Sequence, residues 1–144
     1  MPSLNERFSN ALHNTGRAWR LAVDRRLKHL GLSQAGWMTI AVAAKAKQPL
    51  SQGEIAHRLG VEGATMVAMV DRLVKAGLVL REASTTDRRV KLVILTDEGR
   101  RVYGLVRAEA DVFRNRLLAN VDHAQLAQAT ELLEKLQAVA ESAA

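Results

Sequence analysis

The chain has 144 residues, 48% of them hydrophobic and 3% aromatic, which suits one domain with a real core, built mainly from helices rather than left disordered. Lys and Arg number 21 against 15 Asp and Glu, a net charge of +6 that favours polyanionic partners without naming one. The lack of cysteine excludes disulfides and thiolate chemistry, no apolar run approaches the ~18 residues of a membrane span, and the opening MPSLNERFSN, with Glu6 and no apolar core, predicts no secretory signal and hence a cytoplasmic protein.

From Leu4 to Leu30, apolar or small residues recur at helical spacing, at Leu4, Phe8, Leu12, Thr15, Trp19, Ala22 or Val23, Leu27 and Leu30. Gly31 stops this helix after about seven turns, a length whose apolar stripe needs a partner surface. Ser33 is placed to cap a second helix through Lys45, and Pro49-Leu50-Ser51 reads as a loop. Ser51-Gln-Gly-Glu54 then fits the capping-box pattern, ahead of Ile55, Ala56 and Leu59 on one face of a short helix ended by Gly60. After the turn Val61-Glu62-Gly63 a further helix is expected from Ala64 to Lys75, with Val67, Val70, Leu73 and Val74 inward and Gly77 as its stop.

Beyond Gly77 the period changes. Leu78 to Ala83 and Val90 to Leu95 are rich in β-formers and read as two strands, joined by the polar, turn-like Ser84-Thr-Thr-Asp-Arg-Arg89. Thr96-Asp-Glu-Gly99 caps a long helix carrying Val102, Leu105, Val106, Val112, Phe113 and Leu117. Asp122 caps a last helix with Leu126, Ala129, Leu132, Leu133, Leu136 and Val139 on its apolar side.

The expected fold is mainly α with a small β-hairpin wing (α+β), in one domain over residues 1–144. Two short helices joined by a glycine turn and followed by a hairpin is the order of a winged helix-turn-helix, although helix-Gly-helix is by itself a common packing unit. Arg88, Arg89 and Lys91 around the hairpin tip favour the first reading. A solvated turn needs no such cluster, whereas a wing entering the narrow minor groove needs guanidinium groups there. Residues 32–97 would form the lobe, and the long helices of 1–31 and 98–144 would bury their stripes in an isologous dimer.

The segments SQGEIAHRLGV, VDRLVKAGLV and TDRRVKLVILTDEG, between Leu50 and Gly99, resemble the MarR family of bacterial regulators. The order D-R-R-x-K-x-x-x-L-T-x-x-G, from Asp87 to Gly99, is the specific mark, and WRLAVDRRLKHLGLSQAGWMTI, from Trp19 to Ile40, resembles the SlyA branch. The resemblance implies a homodimer joined through its terminal helices, two winged lobes on double-stranded DNA, no cofactor or metal, and often a small aromatic acid as antagonist. It makes Arg89 the wing arginine of the minor groove and Asp87 the acid that orients it, with Arg88 and Lys91 on phosphates. A carboxylate two residues away can hold a guanidinium extended, while Asp87 also suits the turn as such. Ser51 and Gln52, at a helix N-terminus, suit a phosphate oxygen as well as a cap.

In the helix expected to read bases, Gly63, Ala64, Thr65, Ala68 and Met69 are small or apolar, and Ala68 stands where relatives often carry arginine. Arginine reaches guanine O6 and N7, whereas alanine and threonine methyls only touch a thymine methyl, so discrimination would be weak or rest on Thr65. Arg72 would pair with Asp71 or a phosphate. Arg17 and Trp37 match branch positions associated with aromatic carboxylates, though a lone Trp also suits a core and Arg17 suits Asp24 or solvent. Ala35 and Ala41 replace polar groups common in relatives, which leaves a ligand fewer contacts.

An enzyme is not expected. His13, His29, His57 and His123 are scattered, without an i,i+4 pair or an acidic cluster, and no phosphate-binding glycine loop occurs. The competing reading is an architectural DNA-binding protein of low specificity, which the apolar recognition helix favours.

Overall fold

In the computed structural model, which describes residues 1–143, the Ser3 hydroxyl accepts the Glu6 amide at 3.1 Å and starts α1 (Leu4–Leu27). The helix tightens into a 3-10 turn over Lys28–Leu30 and stops at Gly31, whose φ of +71° is a left-handed conformation that glycine adopts without strain. Ser33 repeats the cap, taking the Gly36 amide at 3.1 Å, and opens α2 (Gln34–Lys45). There follow β1 (Leu50–Ser51), α3 (Gln52–Leu59), α4 (Gly63–Lys75), β2 (Val79–Ala83), β3 (Lys91–Leu95), α5 (Asp97–Leu118) and α6 (His123–Ala143). The chain forms two compact units, Met1–Asp111 and a second beginning at Val112, with α5 running across the division.

The core of the first unit collects Leu27 from α1, Ile40 from α2, Ile55 from α3, Met66 and Val70 from α4 and Val79 from β2, all essentially without solvent contact. Thr39 is buried among them, and its hydroxyl donates to the Ala35 carbonyl one turn back at 2.7 Å, so no polar group is stranded. Arg26 of α1 donates through Nε to Glu109 of α5 at 2.8 Å, which fixes the end of α1 to the following long helix.

The sheet has three antiparallel strands in the order β1-β3-β2, with Leu50 opposite Val93 and Val93 opposite Arg81. Leu50 and Ser51, expected in a loop, are thus a strand. Two residues cannot display a period of two, and Pro49 before them with the capping box after them masks the pairing.

The inward face of α4 also differs from expectation. It carries Met66, Met69, Val70 and Leu73, whereas Val67 and Val74 are 43% and 37% exposed. Positions 66, 69, 70 and 73 make a proper helical stripe, and the long methionines reach α2, where the Met66 sulfur lies 4.0 Å from the Thr39 hydroxyl. Val70 and Leu73 lie inward as expected, and Met66 and Met69 take the places that the expectation gives to Val67 and Val74.

Thr96 joins the hairpin to α5. Its amide donates to the Leu78 carbonyl at 3.0 Å, and its hydroxyl donates to Gly77 at 2.6 Å and accepts the Gly99 amide at 3.0 Å. Gly99 lies so near the Leu78 carbonyl oxygen that a Cβ there would run into it. In the second unit, Asp122 caps α6 by accepting the Gln125 amide at 3.0 Å, and Leu132, Leu133, Leu136 and Val139 are exposed.

Gly99→Ala is therefore expected to destabilise the protein by about 2–3 kcal/mol, since the obstacle is backbone and cannot rotate away. Gly53→Ala, whose Cβ would meet only the Ser51 hydroxyl at 3.8 Å, should be neutral or stabilising. Urea unfolding midpoints of the two variants check the contrast.

Candidate functional site

The helix pair is set by local rules. The Ser51 hydroxyl accepts the Glu54 amide at 3.0 Å while the Glu54 carboxylate accepts the Ser51 amide at 3.1 Å, completing the capping box of α3. Gly60, at φ +69°, turns the chain, and Glu62 opens α4 without a side-chain cap, leaving first-turn amides for water or an anion. With the methionine face inward, Gly63, Ala64, Thr65, Ala68 and Arg72 lie exposed along α4. Met69 does not join them. It is 6% exposed, with its sulfur near Gly36 of α2, so its place is in the core and not on the outward face.

The hairpin tip is ordered by its own polar groups. The Ser84 amide donates to Val90 at 2.9 Å, the Val90 amide donates to Asp87 at 3.0 Å, and the Ser84 and Thr86 hydroxyls meet at 3.0 Å. One Asp87 oxygen accepts both the Arg89 amide at 3.0 Å and Arg89 Nε at 3.1 Å, and the other accepts Nη2 at 3.2 Å. The orienting contact expected between these two residues is present, and it holds a guanidinium whose side chain is 91% exposed. Arg88 and Lys91 are exposed beside it.

These hydrogen bonds from Arg89 hold the Asp87 carboxyl below its ordinary value of 3.8. A lowered carboxylate pKa means that the contact is complete above that ordinary value and is lost only as pH falls through the lowered one. Protonation of Asp87 therefore does not release Arg89 in the neutral range.

Sequence reasoning assigned no role to Arg81, which joins these parts. Its Nε donates to Gln52 Oε1 of α3 at 2.5 Å, and its Nη2 donates to the Val67 carbonyl of α4 at 3.0 Å and meets Asp71 Oδ1 at 2.6 Å. Asp71 is thus the partner of Arg81, not of Arg72. Gln52 has its oxygen fixed by the same contact, which leaves its NH2 as a donor. The signal was available: alternation along β2 puts Arg81 on the same face as the buried Val79.

Arg17 and Trp37 are not brought together within the chain. Arg17 is exposed on α1, while Trp37 is buried in α2 and its indole N–H donates to Asp24 at 2.9 Å, so Asp24 serves Trp37 and not Arg17. A cavity of about 380 Å³ lies instead against Arg20, Gln34, Ala35, Met38, Arg58 and Leu59, with two guanidinium groups over an apolar lining. Among the described residues no three His, Asp or Glu gather to hold a metal ion, and no helix is long and apolar enough to cross a membrane.

The family model for MarR matches residues 43–91, which span the end of α2 through the start of β3. The chain is also 38% identical to the transcriptional regulator PA3341 over 94% of its own length and 98% of that chain, with a TM-score of 0.87. The chain belongs to the MarR family. It is a transcriptional regulator of the MarR type, and members of this family are transcription regulators rather than enzymes. CouR from Rhodococcus jostii RHA1, solved bound to p-coumaroyl-CoA, is 26% identical over 94% of this chain and 95% of that one, with a TM-score of 0.80. SlyA superposes with a TM-score of 0.80 at 18% identity, covering 94% of each chain, which shows a shared fold and nothing finer.

Proposed function

We propose that this MarR-type regulator binds double-stranded DNA as a homodimer, with α4 in the major groove and the β2–β3 wing in the minor groove of a pseudo-palindromic, A·T-rich operator. The observation that carries this reading is Arg89, extended from the wing tip and held there by Asp87. A guanidinium fixed before contact suits the enhanced negative potential of a narrow minor groove. Arg88 and Lys91 then face phosphates, as do Ser51 and Gln52 at the start of α3. Ala64, Thr65 and Ala68 offer methyl groups to thymine, with Gly63 allowing close approach and Arg72 reaching the backbone.

Two exposed stripes support the homodimer. Leu4, Phe8 and Leu12 on α1, and Leu132, Leu133, Leu136 and Val139 on α6, are left uncovered by their own units. Such apolar surface belongs against a second copy, and two-fold symmetry would set two recognition helices about one DNA turn (~34 Å) apart. A competing reading, a low-specificity architectural protein, draws on the small side chains of Gly63, Ala64 and Ala68, which carry no base-reading hydrogen-bond groups. The ratio of specific to non-specific affinity separates the two.

A small aromatic carboxylate is the proposed antagonist. The resemblance gave Arg17 and Trp37 as its site. The cavity beside Arg20 and Arg58 offers a carboxylate two guanidinium groups, and p-coumaroyl-CoA bound to CouR is a precedent for an aromatic ligand in a relative. Ala35 lines that cavity without a hydrogen-bonding side chain, so a ligand the size of salicylate should bind near millimolar, about −4 kcal/mol.

Genomic fragments retained by the protein at moderate salt should share an A·T-rich palindrome; an unenriched pool would favour the architectural reading. Sedimentation at micromolar concentration should give a dimer, and a stable folded monomer would rule out the proposed interface. Arg89→Ala should weaken enriched and unrelated duplexes alike, by about 1–3 kcal/mol, and flatten the salt dependence. An unchanged slope would mean that the wing stays off the DNA. Salicylate at about ten millimolar should release the enriched duplex, and Arg20→Ala should abolish that response without changing affinity in its absence. Loss in Arg17→Ala alone would return the carboxylate to the site given by the resemblance, and no release at all would leave the protein without an aromatic effector.

A further inference from the structure

We infer that Arg81 is a positioning residue for DNA discrimination: it sets the spacing between the recognition helix and the wing. The inference rests on the DNA-binding reading and adds to it a residue that touches no base or phosphate itself. Its side chain is 24% exposed, and its guanidinium is occupied by acceptors from α3 and α4, at Gln52, the Val67 carbonyl and Asp71. A planar fork of donors suits three fixed acceptors, which a single ammonium cannot serve together.

The place of Arg81 in the hairpin gives this contact its leverage. Val79 and Leu95 bury the hairpin base, and Val93, paired with Arg81, is the last fully buried residue before the tip. Toward the tip, Glu82, Ala83, Thr85 and Thr86 are exposed, and beyond Arg81 the hairpin meets the helix pair only through the backbone pairing of Leu92 with Ser51. From Arg81 to the loop lies roughly 10 Å of strand, at about 3.3 Å per residue. A small rotation at the base therefore becomes a displacement of Arg89 comparable to the width of a contact. The same guanidinium also pairs with Asp71, a carboxylate on the outward half of α4, 60% exposed. Charge masking of that acid is the rival role, and it predicts a different result.

Arg81→Gln and the isoelectric pair Asp71→Asn with Arg81→Gln separate the possibilities. Each is titrated, as full-length protein, against a fragment enriched by the parent and a scrambled duplex of the same composition. In both variants the ratio of the two affinities should fall about tenfold or more, with the salt slope on scrambled duplex unchanged. An unchanged ratio in Arg81→Gln overturns the inference. So does a salt slope lower by about one phosphate, which would make Arg81 a direct contact. Recovery of the ratio in the isoelectric pair would overturn it in favour of charge masking. If Arg81→Gln does not fold, Arg81→Lys gives the same test, since it keeps the charge but cannot hold three acceptors. A parent protein without preference overturns the DNA-discrimination reading itself, and that loss is visible before any substitution.

Discussion

The phase of α4 in the core governs the functional surface. Met66, Met69, Val70 and Leu73 repeat at three- and four-residue spacing, and burying them against α2 and the sheet leaves Ala64, Thr65, Ala68 and Arg72 outside. A helix has no freedom to turn one side chain inward without rotating the rest, so a slip of one residue toward Val67 and Val74 would turn Met66 and Met69 outward. The methionines suit this task because a flexible thioether fills uneven space, here between Thr39 and the Gly36 backbone. What the molecule can offer to a groove is thus decided by packing on the opposite side of the same helix.

Much of this was legible wherever a signal is local. Ser3, Ser33, Ser51 and Asp122 each cap a helix within four residues, and Gly31 and Gly60 stop helices by the left-handed turn that their lack of Cβ permits. Asp87 and Arg89 are two residues apart, so their contact could be foreseen. The misses all needed distant information. β1 exists only because β3 lies beside it, and the Trp37 indole finds Asp24 across two helices. Arg81 stands alone in sequence, and its partners lie 29, 14 and 10 positions away on other elements. The phase of α4 was lost for a further reason: valine outranks methionine as a core residue by hydropathy, whereas shape decided the packing.

The lobe holds its parts by contacts of unlike kind. The hairpin base is bound to α5 through backbone groups of Leu78 and Thr96, with Gly99 admitting the approach. Higher up, the link passes to the charged fork of Arg81, and at the tip only the Asp87 carboxylate orders Arg89. Order along the wing therefore shifts from buried backbone at the root to exposed side chains at the tip. A wing built this way has a root held by buried backbone and a tip whose arginine is held by one exposed carboxylate.

The shortness of β1 has a consequence for how copies of the chain meet. An open sheet edge offers unpaired amides and carbonyls to any strand that passes, and this sheet has two such edges. At one, β1 supplies just two residues, with Pro49 lacking an N–H before it and a helix beginning directly after it. At the other, β2 carries the adjacent charges of Arg81 and Glu82. Neither edge is a template on which a neighbouring wing could extend the sheet. Crowded molecules are thereby steered away from stacking their hairpins into fibres, so the sheet adds nothing to the apolar surface that α1 and α6 expose.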